Sequence, residues 1–386
     1  MAIAKESRIR MQDIFVRYGD EFRAHHSLSY IQTKAMKAIE GCGTDSMGYH
    51  TYYCDQCGHR EISYNSCRNR HCPHCQWLKQ ELWIDRIKSQ LLPVRYFHVV
   101  FTLPESLNAL VLHNHSLLYN ILFESAWHAL GQAGRNPAFL GADIGAIAIL
   151  HTWGQTLSLH PHLHLLIPAG GLDPDGWQWV SSPKKFFVPV KALSKMFRAK
   201  FIALLSQAIN QNQPVISDNK QCADDWKGFR DRLYKTEWVV YCKKCCAGPT
   251  QVVTYLGRYT HRVAISESRI LSMENNTVSF RWKDYRSHNR WKMMDLSAQE
   301  FIRRFMLHIL PLGFYKIRYF GIYAVANRQR KLIQCFRLLG YTPSPPAFAG
   351  MSTEFIINHL TGLQMNRCPV CHQGIMRLLG PPGELF

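Results

Sequence analysis

The sequence predicts an α+β fold in which a central antiparallel sheet is flanked by helices. Strand-like and helix-like segments are mixed along the middle of the chain, in the order strand, helix, strand, strand, helix, strand, helix. Two of the strand-like segments are also separated by so few residues that they are expected to pair directly. Short connections place consecutive strands side by side in opposite directions, so this order favours an antiparallel sheet with helices packed on it.

Hydrophobic periodicity and turn residues place the elements in order. Residues 1–45 are expected to be helical, because Ile14, Phe15, Tyr18 and Phe22 recur at helical spacing. A cysteine-rich block at 54–75 follows, whose small polar residues cannot build a core on their own. The later elements expected are a strand at 95–103, a helix at 107–130, strands at 144–153 and 159–167, a helix at 190–211, a strand at 237–241, a helix at 251–262, a hairpin at 263–282 that turns near Asn275 and Asn276, and a strand at 291–296.

The charge of the chain indicates a polyanionic partner. The 386 residues include 46 Lys and Arg against 27 Asp and Glu, a formal net charge of +19, which favours nucleic acid. Residues 250–340 hold 16 of the basic and 5 of the acidic residues, interleaved with aromatic ones. Basic side chains can follow a phosphate backbone while aromatic rings stack on unpaired bases. The residues expected to contact DNA are Arg258, Arg262, Lys283, Arg286, Arg290 and Lys292.

Other features argue against a secreted or membrane-spanning protein. No uninterrupted apolar run reaches the roughly 20 residues that span a bilayer, and the charged N-terminal segment lacks the apolar stretch of a signal peptide. A cytoplasmic location is expected. In that reducing compartment the 13 cysteines favour metal binding over disulfides.

Two Cys-x2-Cys pairs predict a structural zinc site. Cys54 and Cys57 form one pair, and Cys72 and Cys75 form the other. Such pairs present two thiolates from a tight turn, and two pairs complete a tetrahedral site with no open position for chemistry. Further cysteines and one histidine are candidates for an alternative or second zinc site: Cys67, His71, Cys335, Cys368, Cys371 and the group Cys242, Cys245 and Cys246.

A histidine-rich strand predicts a second kind of metal site. On a strand His160, His162 and His164 share one face, because successive side chains point to opposite sides. Three imidazoles on one side of a buried strand are costly unless they bind something, and a divalent metal is the natural ligand. Gln155 precedes this strand closely enough to reach the same site.

A pair of tyrosines lies four residues apart in a helix-like segment. Tyr255 and Tyr259 would occupy one helix face, and the simplest interpretation is an aromatic stripe in the core. Beside a metal site they acquire a chemical meaning. A divalent ion polarises a phosphodiester, a tyrosine hydroxyl attacks its phosphorus, and a phosphotyrosine forms. Two tyrosines permit two successive strand transfers without release of an end.

These motifs resemble those of a known family. His162-Leu163-His164 is similar to the His–hydrophobic–His signature of HUH endonucleases, and Tyr255 and Tyr259 are similar to the nucleophiles of the two-tyrosine subgroup. The cysteine block with its CRNRHCPHC core resembles the N-terminal zinc-binding domain of rolling-circle insertion-sequence transposases. The stretches TWGQTLSLHPHLH, YLGRYTHRVAIS and FIRRFMLHILPLGFYKIRYFG match the same family.

The resemblance implies an activity and roles for these residues. Such enzymes nick single-stranded DNA at element ends, leave a 5′-phosphotyrosine and a free 3′-hydroxyl, and use Mg²⁺ or Mn²⁺. His162 and His164 would be ligands, with Gln155 preferred as the third and His160 in reserve. Tyr255 and Tyr259 would be the nucleophiles.

The resemblance also implies a domain order and partners. The expected domains are an N-terminal helical zinc-binding domain at 1–92, an HUH nuclease domain at 93–296 and a basic helical C-terminal region at 297–386 with a candidate second zinc site. The partners would be single-stranded DNA of transposon ends and target, in the nucleoid of a bacterial cytoplasm. No G-x-x-x-x-G-K-[ST] loop is present, so strand separation would come from a host helicase or the replication machinery.

Two other functions remain open on the sequence alone. A rolling-circle replication initiator would use the same chemistry, although the zinc block and the missing helicase motif favour a transposase. A non-catalytic zinc-dependent DNA-binding protein would leave Tyr255 and Tyr259 as core residues.

Overall fold

The computed structural model describes residues 9–182, 186–211, 226–244, 249–260, 264–285 and 287–379. The β-strands are Tyr49–Cys54 (β1), Arg60–Tyr64 (β2), Tyr96–Thr102 (β3), Gly145–Trp153 (β4), Leu159–Pro168 (β5), Gly170–Leu172 (β6), Trp179–Ser181 (β7), Val240–Lys244 (β8), Ile270–Glu274 (β9), Thr277–Asp284 (β10), Arg290–Ser297 (β11), Ile317–Gly321 (β12) and Met376–Leu378 (β13). The α-helices are Met11–His25 (α1), Tyr30–Glu40 (α2), Trp77–Lys88 (α3), Asn108–His113 (α4), His115–Arg135 (α5), Val190–Asn210 (α6), Trp226–Lys235 (α7), Pro249–Thr260 (α8), Ala298–Met306 (α9), Val325–Asn327 (α10), Ile333–Leu338 (α11) and Thr353–Thr361 (α12).

The expected α+β class is confirmed, and most of the expected elements are found within a few residues of their expected ends. The long helix expected at 107–130 is interrupted at Asn114, which ends α4 and precedes α5. The hairpin turn lies where the sequence placed it. Asn275 and Asn276 have φ angles of 46° and 59°, as a two-residue hairpin turn requires of both central residues.

The chain divides into two compact units that are interleaved along the sequence. The first unit comprises Met1–Asp85, His261–Ile309 and Pro346–Phe386, and the second comprises Arg86–Thr260 and Leu310–Pro345. The division therefore differs from the three consecutive domains expected from the sequence. In particular β9, β10 and β11 belong to the same unit as the N-terminal helices.

A five-stranded antiparallel sheet forms the centre of the second unit. Its strand order is β12-β4-β5-β3-β8, so the two strands with the shortest connection, β4 and β5, are neighbours as expected. One face of the sheet is covered by α5 and α6, which also pack on each other. Aromatic rings fill this interface; the rings of Phe101 and Phe197, for example, meet edge to face with centroids 4.9 Å apart. Burying such a side chain stabilises the fold by about 1.5–3 kcal/mol.

The first unit contains a helical cluster and two small sheets. Helix α9 packs against α1 through Phe305 and Phe15, whose ring centroids are 5.4 Å apart, and against β10 through Phe301 and Phe280. The sheets have the strand orders β11-β10-β9 and β13-β1-β2. The second of these joins a strand near the C-terminus to the N-terminal hairpin. None of the helices in the described ranges is long and apolar enough to cross a membrane.

Candidate active site

Three histidines on neighbouring strands of the second unit lie together on one face of the sheet. His162 and His164 alternate along β5, and His151 of β4 is the cross-strand partner of His162. One ring nitrogen from each of the three lies within 4.8 Å of the others. We call this group the three-histidine cluster. The structure thus brings together two histidines singled out by the sequence and adds a third.

The alternation of β5 explains the position of the cluster. Leu163, Leu165 and Ile167 are fully buried in the core against α5 and α6. The intervening residues, His162 and His164, must point to the other side of the sheet. The packing of leucine and isoleucine therefore fixes the direction of the imidazoles.

Two hydrogen bonds orient the rings of the cluster. Nδ1 of His162 lies 2.6 Å from the backbone carbonyl oxygen of His160, so this nitrogen carries the hydrogen and donates it. Nδ1 of His164 lies 2.7 Å from Nε2 of His98 on β3. Both contacts leave Nε2 as the nitrogen that can bind a metal. An orienting partner of this kind holds the ring and selects the tautomer of a metal-binding histidine.

Burial keeps the imidazoles neutral. It lowers the pKa of His162 to about 4 and lowers the pKa values of His151 and His164 well below the usual range. At neutral pH each ring therefore offers a nitrogen lone pair with no proton to displace. Three neutral nitrogen donors at this spacing fit one divalent transition-metal ion. Mg²⁺ prefers oxygen ligands, so of the two expected ions Mn²⁺ fits this donor set better.

The other two residues expected as ligands lie elsewhere. The exposed side chain of His160, near the start of β5, is not a member of the three-histidine cluster; its contribution is the carbonyl that holds His162. Gln155 lies in the turn between β4 and β5, and its role as a ligand stays a prediction. His151 takes the place expected for His160.

The sequence gives only a partial signal for His151, because the register between β4 and β5 decides which residue it faces. The tight turn formed by residues 154–158 is centred near residue 156, and residues equally far from that centre pair across an antiparallel hairpin. Trp153 and Leu159 are such a pair, but a β-bulge between Trp153 and His151 shifts the register by one residue, so that His151 lies opposite His162. Aligning the two strands about their turn would have placed His151 opposite Pro161 and missed it.

The predicted nucleophiles lie on a helix that contacts β4. The backbone of α8 is helical from Pro249 to Thr260, so the four-residue spacing places Tyr255 and Tyr259 on one helix face. This helix lies against β4, the strand of His151. The side chains of Tyr255, Tyr259 and Arg258, and all of Arg262, fall outside the described part of the chain.

The cysteines form two clusters of four in the first unit. Within each cluster the Sγ atoms lie within 4.8 Å of one another. The first cysteine cluster consists of Cys42, Cys67, Cys72 and Cys75, and the second cysteine cluster consists of Cys54, Cys57, Cys368 and Cys371.

The clusters correct the expected ligand set. The sequence grouped the pairs Cys54–Cys57 and Cys72–Cys75 in one site, but each pair belongs to a different cluster. Cys54 and Cys57 close the hairpin of β1 and β2, which pairs with β13 and so meets the C-terminal pair instead. Cys42, just after the end of α2, was missed because it has no second cysteine three positions away. Cys67, expected only as a reserve, belongs to the first cluster.

Several other candidate ligands are not members of these clusters. His71 is buried, and its Nδ1 lies 3.2 Å from the side-chain oxygen of Asn69. Cys335 is buried in α11 of the second unit. Cys242 on β8 packs against the sheet core, and Cys245 and Cys246 lie outside the described residues.

Comparisons with known proteins show which family the chain belongs to. A family model described as "Transposase zinc-binding domain" matches residues 14–103, and one described as "Putative transposase" matches residues 145–331. A relative from Sinorhizobium fredii, named "Putative transposase y4qJ", is 47% identical over 370 residues, covering 94% of this chain and 93% of its own. The "Transposase for insertion sequence element IS801" of Pseudomonas savastanoi pv. phaseolicola is 30% identical over 354 residues, covering 88% and 82%. The chain belongs to the IS91/IS801 family of transposases. No solved structure matches it.

Membership of this family indicates what two regions of the chain do. The matched zinc-binding domain contains all four residues of the first cysteine cluster. In that cluster the Sγ atoms of Cys42 and Cys75 are 3.2 Å apart. The transposase therefore carries structural zinc in this part of the chain. The second family model begins at the first residue of β4 and includes the three-histidine cluster and α8. A transposase cuts and joins DNA strands, so DNA is its substrate.

The transposase also has a basic and aromatic surface in its first unit. On β10 and β11 the cross-strand pairs Arg281–Met293 and Lys283–Trp291 share the face opposite the buried Phe280. The guanidinium of Arg281 lies 5.3 Å from the ring centre of Trp291, which is 58% exposed. We call Arg281, Lys283, Tyr285 and Trp291 the aromatic–basic face.

The residues expected to bind DNA in this segment fall on different faces. Lys283 belongs to the aromatic–basic face, whereas Lys292 and Arg290 pair with Trp282 and Asp284 on the other side of the sheet. The ammonium of Lys292 lies 2.7 Å from the largely buried carboxylate of Asp284, which gives it a structural partner. Arg286 lies outside the described residues.

Proposed function

We propose that this transposase nicks and rejoins single-stranded DNA at the ends of its element through 5′-phosphotyrosine intermediates. One observation carries the proposal. Helix α8, which bears Tyr255 and Tyr259, lies against the strand that contributes His151 to the three-histidine cluster. A metal site and two candidate nucleophiles are thus parts of the same unit.

The three-histidine cluster would hold the divalent ion of the reaction. Nε2 of His162 and of His164 are directed to it by the hydrogen bonds at their Nδ1 atoms, and His151 completes a set of nitrogen donors from two strands. When bound, the ion polarises the scissile phosphate and neutralises the charge that develops on it. Because the strands are rigid parts of the sheet, the ligands need little rearrangement to bind.

The tyrosines would supply the covalent step. One tyrosine hydroxyl loses its proton as its oxygen bonds to phosphorus, and the bond from phosphorus to the 3′-oxygen breaks. The leaving 3′-oxygen takes up a proton and becomes a free hydroxyl. The phosphotyrosine conserves the phosphodiester bond, so another DNA 3′-hydroxyl can later attack it and release the tyrosine. Tyr255 and Tyr259 would allow two such transfers in succession.

The aromatic–basic face would bind the DNA strand. Trp291 and Tyr285 are 58% and 60% exposed, so both rings are accessible for stacking on a base. Arg281 and Lys283 lie beside these rings and can follow the phosphates while bases stack. This combination favours single-stranded over double-stranded DNA, since bases are accessible for stacking only when unpaired. A host helicase or replication would supply the single strand.

The covalent intermediate provides the direct test. The protein is incubated with end-labelled single-stranded DNA from each end of its element and Mn²⁺, and products are separated on a denaturing gel. We expect a labelled protein–DNA adduct. The double variant Tyr255→Phe with Tyr259→Phe should lose it, because phenylalanine keeps the ring and removes the nucleophilic oxygen. Tyr234→Phe, on an exposed position of α7, is the matched control and should form the adduct normally.

The outcomes separate the candidate functions. An adduct that persists in the double tyrosine variant would contradict the assignment of the nucleophiles. No adduct with wild-type protein, although DNA is bound, would indicate a non-catalytic DNA-binding protein. Adducts formed on a plasmid origin but not on the element ends would indicate a replication initiator.

A further inference from the structure

The second cysteine cluster brings together residues from opposite ends of the chain. The Sγ atom of Cys54 lies 3.6 Å from that of Cys371, and the Sγ atom of Cys57 lies 3.7 Å from that of Cys368. The sequence separation between the partners is 317 and 311 residues. The matched zinc-binding domain ends at residue 103 and so contains only half of this cluster.

We propose that the second cysteine cluster holds a second structural Zn²⁺, which fastens the C-terminal segment to the N-terminal hairpin. Four thiolates bound to zinc at about 2.3 Å in a tetrahedron lie about 3.8 Å apart. The two distances between N-terminal and C-terminal sulfur atoms, 3.6 and 3.7 Å, match this spacing. A disulfide requires about 2.05 Å between its sulfurs, so the arrangement is that of a metal site. This inference is independent of the proposed chemistry at the tyrosines.

Backbone amides are directed at the sulfurs. The N–H groups of Gln56 and Cys57 donate to Sγ of Cys54 over 3.4 and 3.5 Å. On the C-terminal side, the N–H of Gly374 donates to Sγ of Cys371 over 3.3 Å. Four thiolates around one Zn²⁺ leave a surplus of negative charge, which amide donors stabilise.

Contacts outside the cluster hold the two Cys-x2-Cys turns in register. Asp55, inside the N-terminal turn, accepts a hydrogen bond from the backbone N–H of Ile375 at 2.8 Å. It also forms an ion pair with Arg377 at 3.2 Å. The backbone of β13 pairs with β1, with Met376 opposite Cys54. The C-terminal turn is therefore built to meet the N-terminal one.

The apolar core of this sheet is too small to explain the pairing. The buried residues around it are Cys54, Cys368 and Met376, with Tyr52 and Cys371 partly buried, while every residue of β2 is exposed. A sheet with so little buried apolar surface depends on a cross-link or a metal for its stability. Zinc at the second cysteine cluster would supply that stability.

Zinc content of the full-length protein tests the proposal. We expect two zinc ions per chain by mass spectrometry of metals in purified wild type. The double variant Cys368→Ser with Cys371→Ser should retain one, because it removes half of the second cluster and none of the first. Cys335→Ser, which replaces a buried cysteine outside both clusters, is the matched control and should retain two. Circular dichroism records whether each variant folds.

A second variant disturbs the site without removing a thiol. A Cβ atom at Gly374 would collide with Sγ of Cys54, so Gly374→Ala should weaken zinc at the second cluster by about 10-fold or more. In competition with a chromogenic chelator, one of the two zinc ions should be released earlier than in wild type. Gln373→Ala, at the exposed neighbouring position, should release zinc like wild type. If the double serine variant does not fold, the comparison of Gly374→Ala with Gln373→Ala tests the second zinc site instead.

Three results would overturn the proposal. The first is one zinc ion per chain in the wild-type protein, and the second is two zinc ions per chain in the folded double serine variant. The third is release of both ions from Gly374→Ala at the wild-type rates. If the second zinc ion is absent and the intact mass is lower by two hydrogens, the cysteines form a disulfide and do not bind a metal.

Discussion

The hydrogen bond between His98 and His164 allows a sharp test of how the three-histidine cluster is positioned. Nε2 of His98 on β3 lies 2.7 Å from Nδ1 of His164. Burial and the nearby Lys243 lower the pKa of His98 to about 4, so it is neutral and can accept the Nδ1 hydrogen of His164. His98→Phe keeps a ring of similar size on the strand but removes the acceptor.

The expected magnitude follows from the role of the bond. Without its acceptor, the ring of His164 is free to rotate or change tautomer, and Nε2 is no longer presented to the ion. Losing such an orienting partner typically reduces metal affinity by about 10–100-fold, which corresponds to about 1.4–2.7 kcal/mol. The Mn²⁺ concentration for half-maximal adduct formation should rise by the same factor. The rate at saturating Mn²⁺ should change much less, because His98 does not bind the ion.

Two measurements check this prediction. Mn²⁺ titration by calorimetry gives the affinity without reference to activity, and the same titration of adduct formation gives the functional half-saturation point. His98→Gln should recover much of the affinity, since its amide oxygen can accept the hydrogen bond. His128→Phe, an exposed histidine on α5, makes the same substitution away from the site and should match wild type.

An unchanged Mn²⁺ affinity in a folded His98→Phe protein would refute the reasoning. It would mean that the contact between His98 and His164 does not position the metal ligand. A loss of rate at saturating Mn²⁺ with unchanged affinity would refute it equally, because it would give His98 a role in the chemistry instead.

Two further predictions address the ligand set and the DNA surface. His151→Ala should reduce adduct formation at least about 100-fold while leaving DNA binding intact. His160→Ala should stay within about threefold of wild type, because its side chain is exposed and its backbone carbonyl is retained. Equal effects of the two changes would argue against the three-histidine cluster. Trp291→Ala should weaken binding of single-stranded DNA by about 1–3 kcal/mol, the value of one stacked base. Arg290→Ala, on the opposite face, should have a smaller effect when both variants are titrated by fluorescence anisotropy. Equal losses of affinity would count against the aromatic–basic face.

The local parts of the fold were predictable because their causes lie within a few residues. Alternating Leu163, Leu165 and Ile167 identified β5 and which of its faces is buried, and the same pattern placed His162 and His164 on the other face. Asn275 and Asn276 marked the hairpin turn because asparagine tolerates positive φ. Helical spacing identified α8 and hence the relation between Tyr255 and Tyr259.

The grouping of ligands was less accessible, because it depends on which segments meet. His151 required the register between β4 and β5, which is a property of a pair of strands. The expected zinc site was wrong because it joined two Cys-x2-Cys pairs that are near each other in sequence, whereas the structure matches each with a different partner. A Cys-x2-Cys turn specifies half of a tetrahedral site and contains no information about the other half.

The sequence by itself determined the α+β class, the family resemblance, the face of β5 that carries His162 and His164, and the basic character of the segment after residue 250. Tertiary structure alone decided three matters: that His151 joins the cluster, that β9–β11 belong with the N-terminal helices, and that Cys368 and Cys371 complete a site begun by Cys54 and Cys57. The physical reason is the range of the interactions. Side-chain alternation and helical periodicity act between near neighbours. Strand register, unit boundaries and metal ligand sets arise only when separate segments pack together, and the two halves of the second cysteine cluster are more than 300 residues apart.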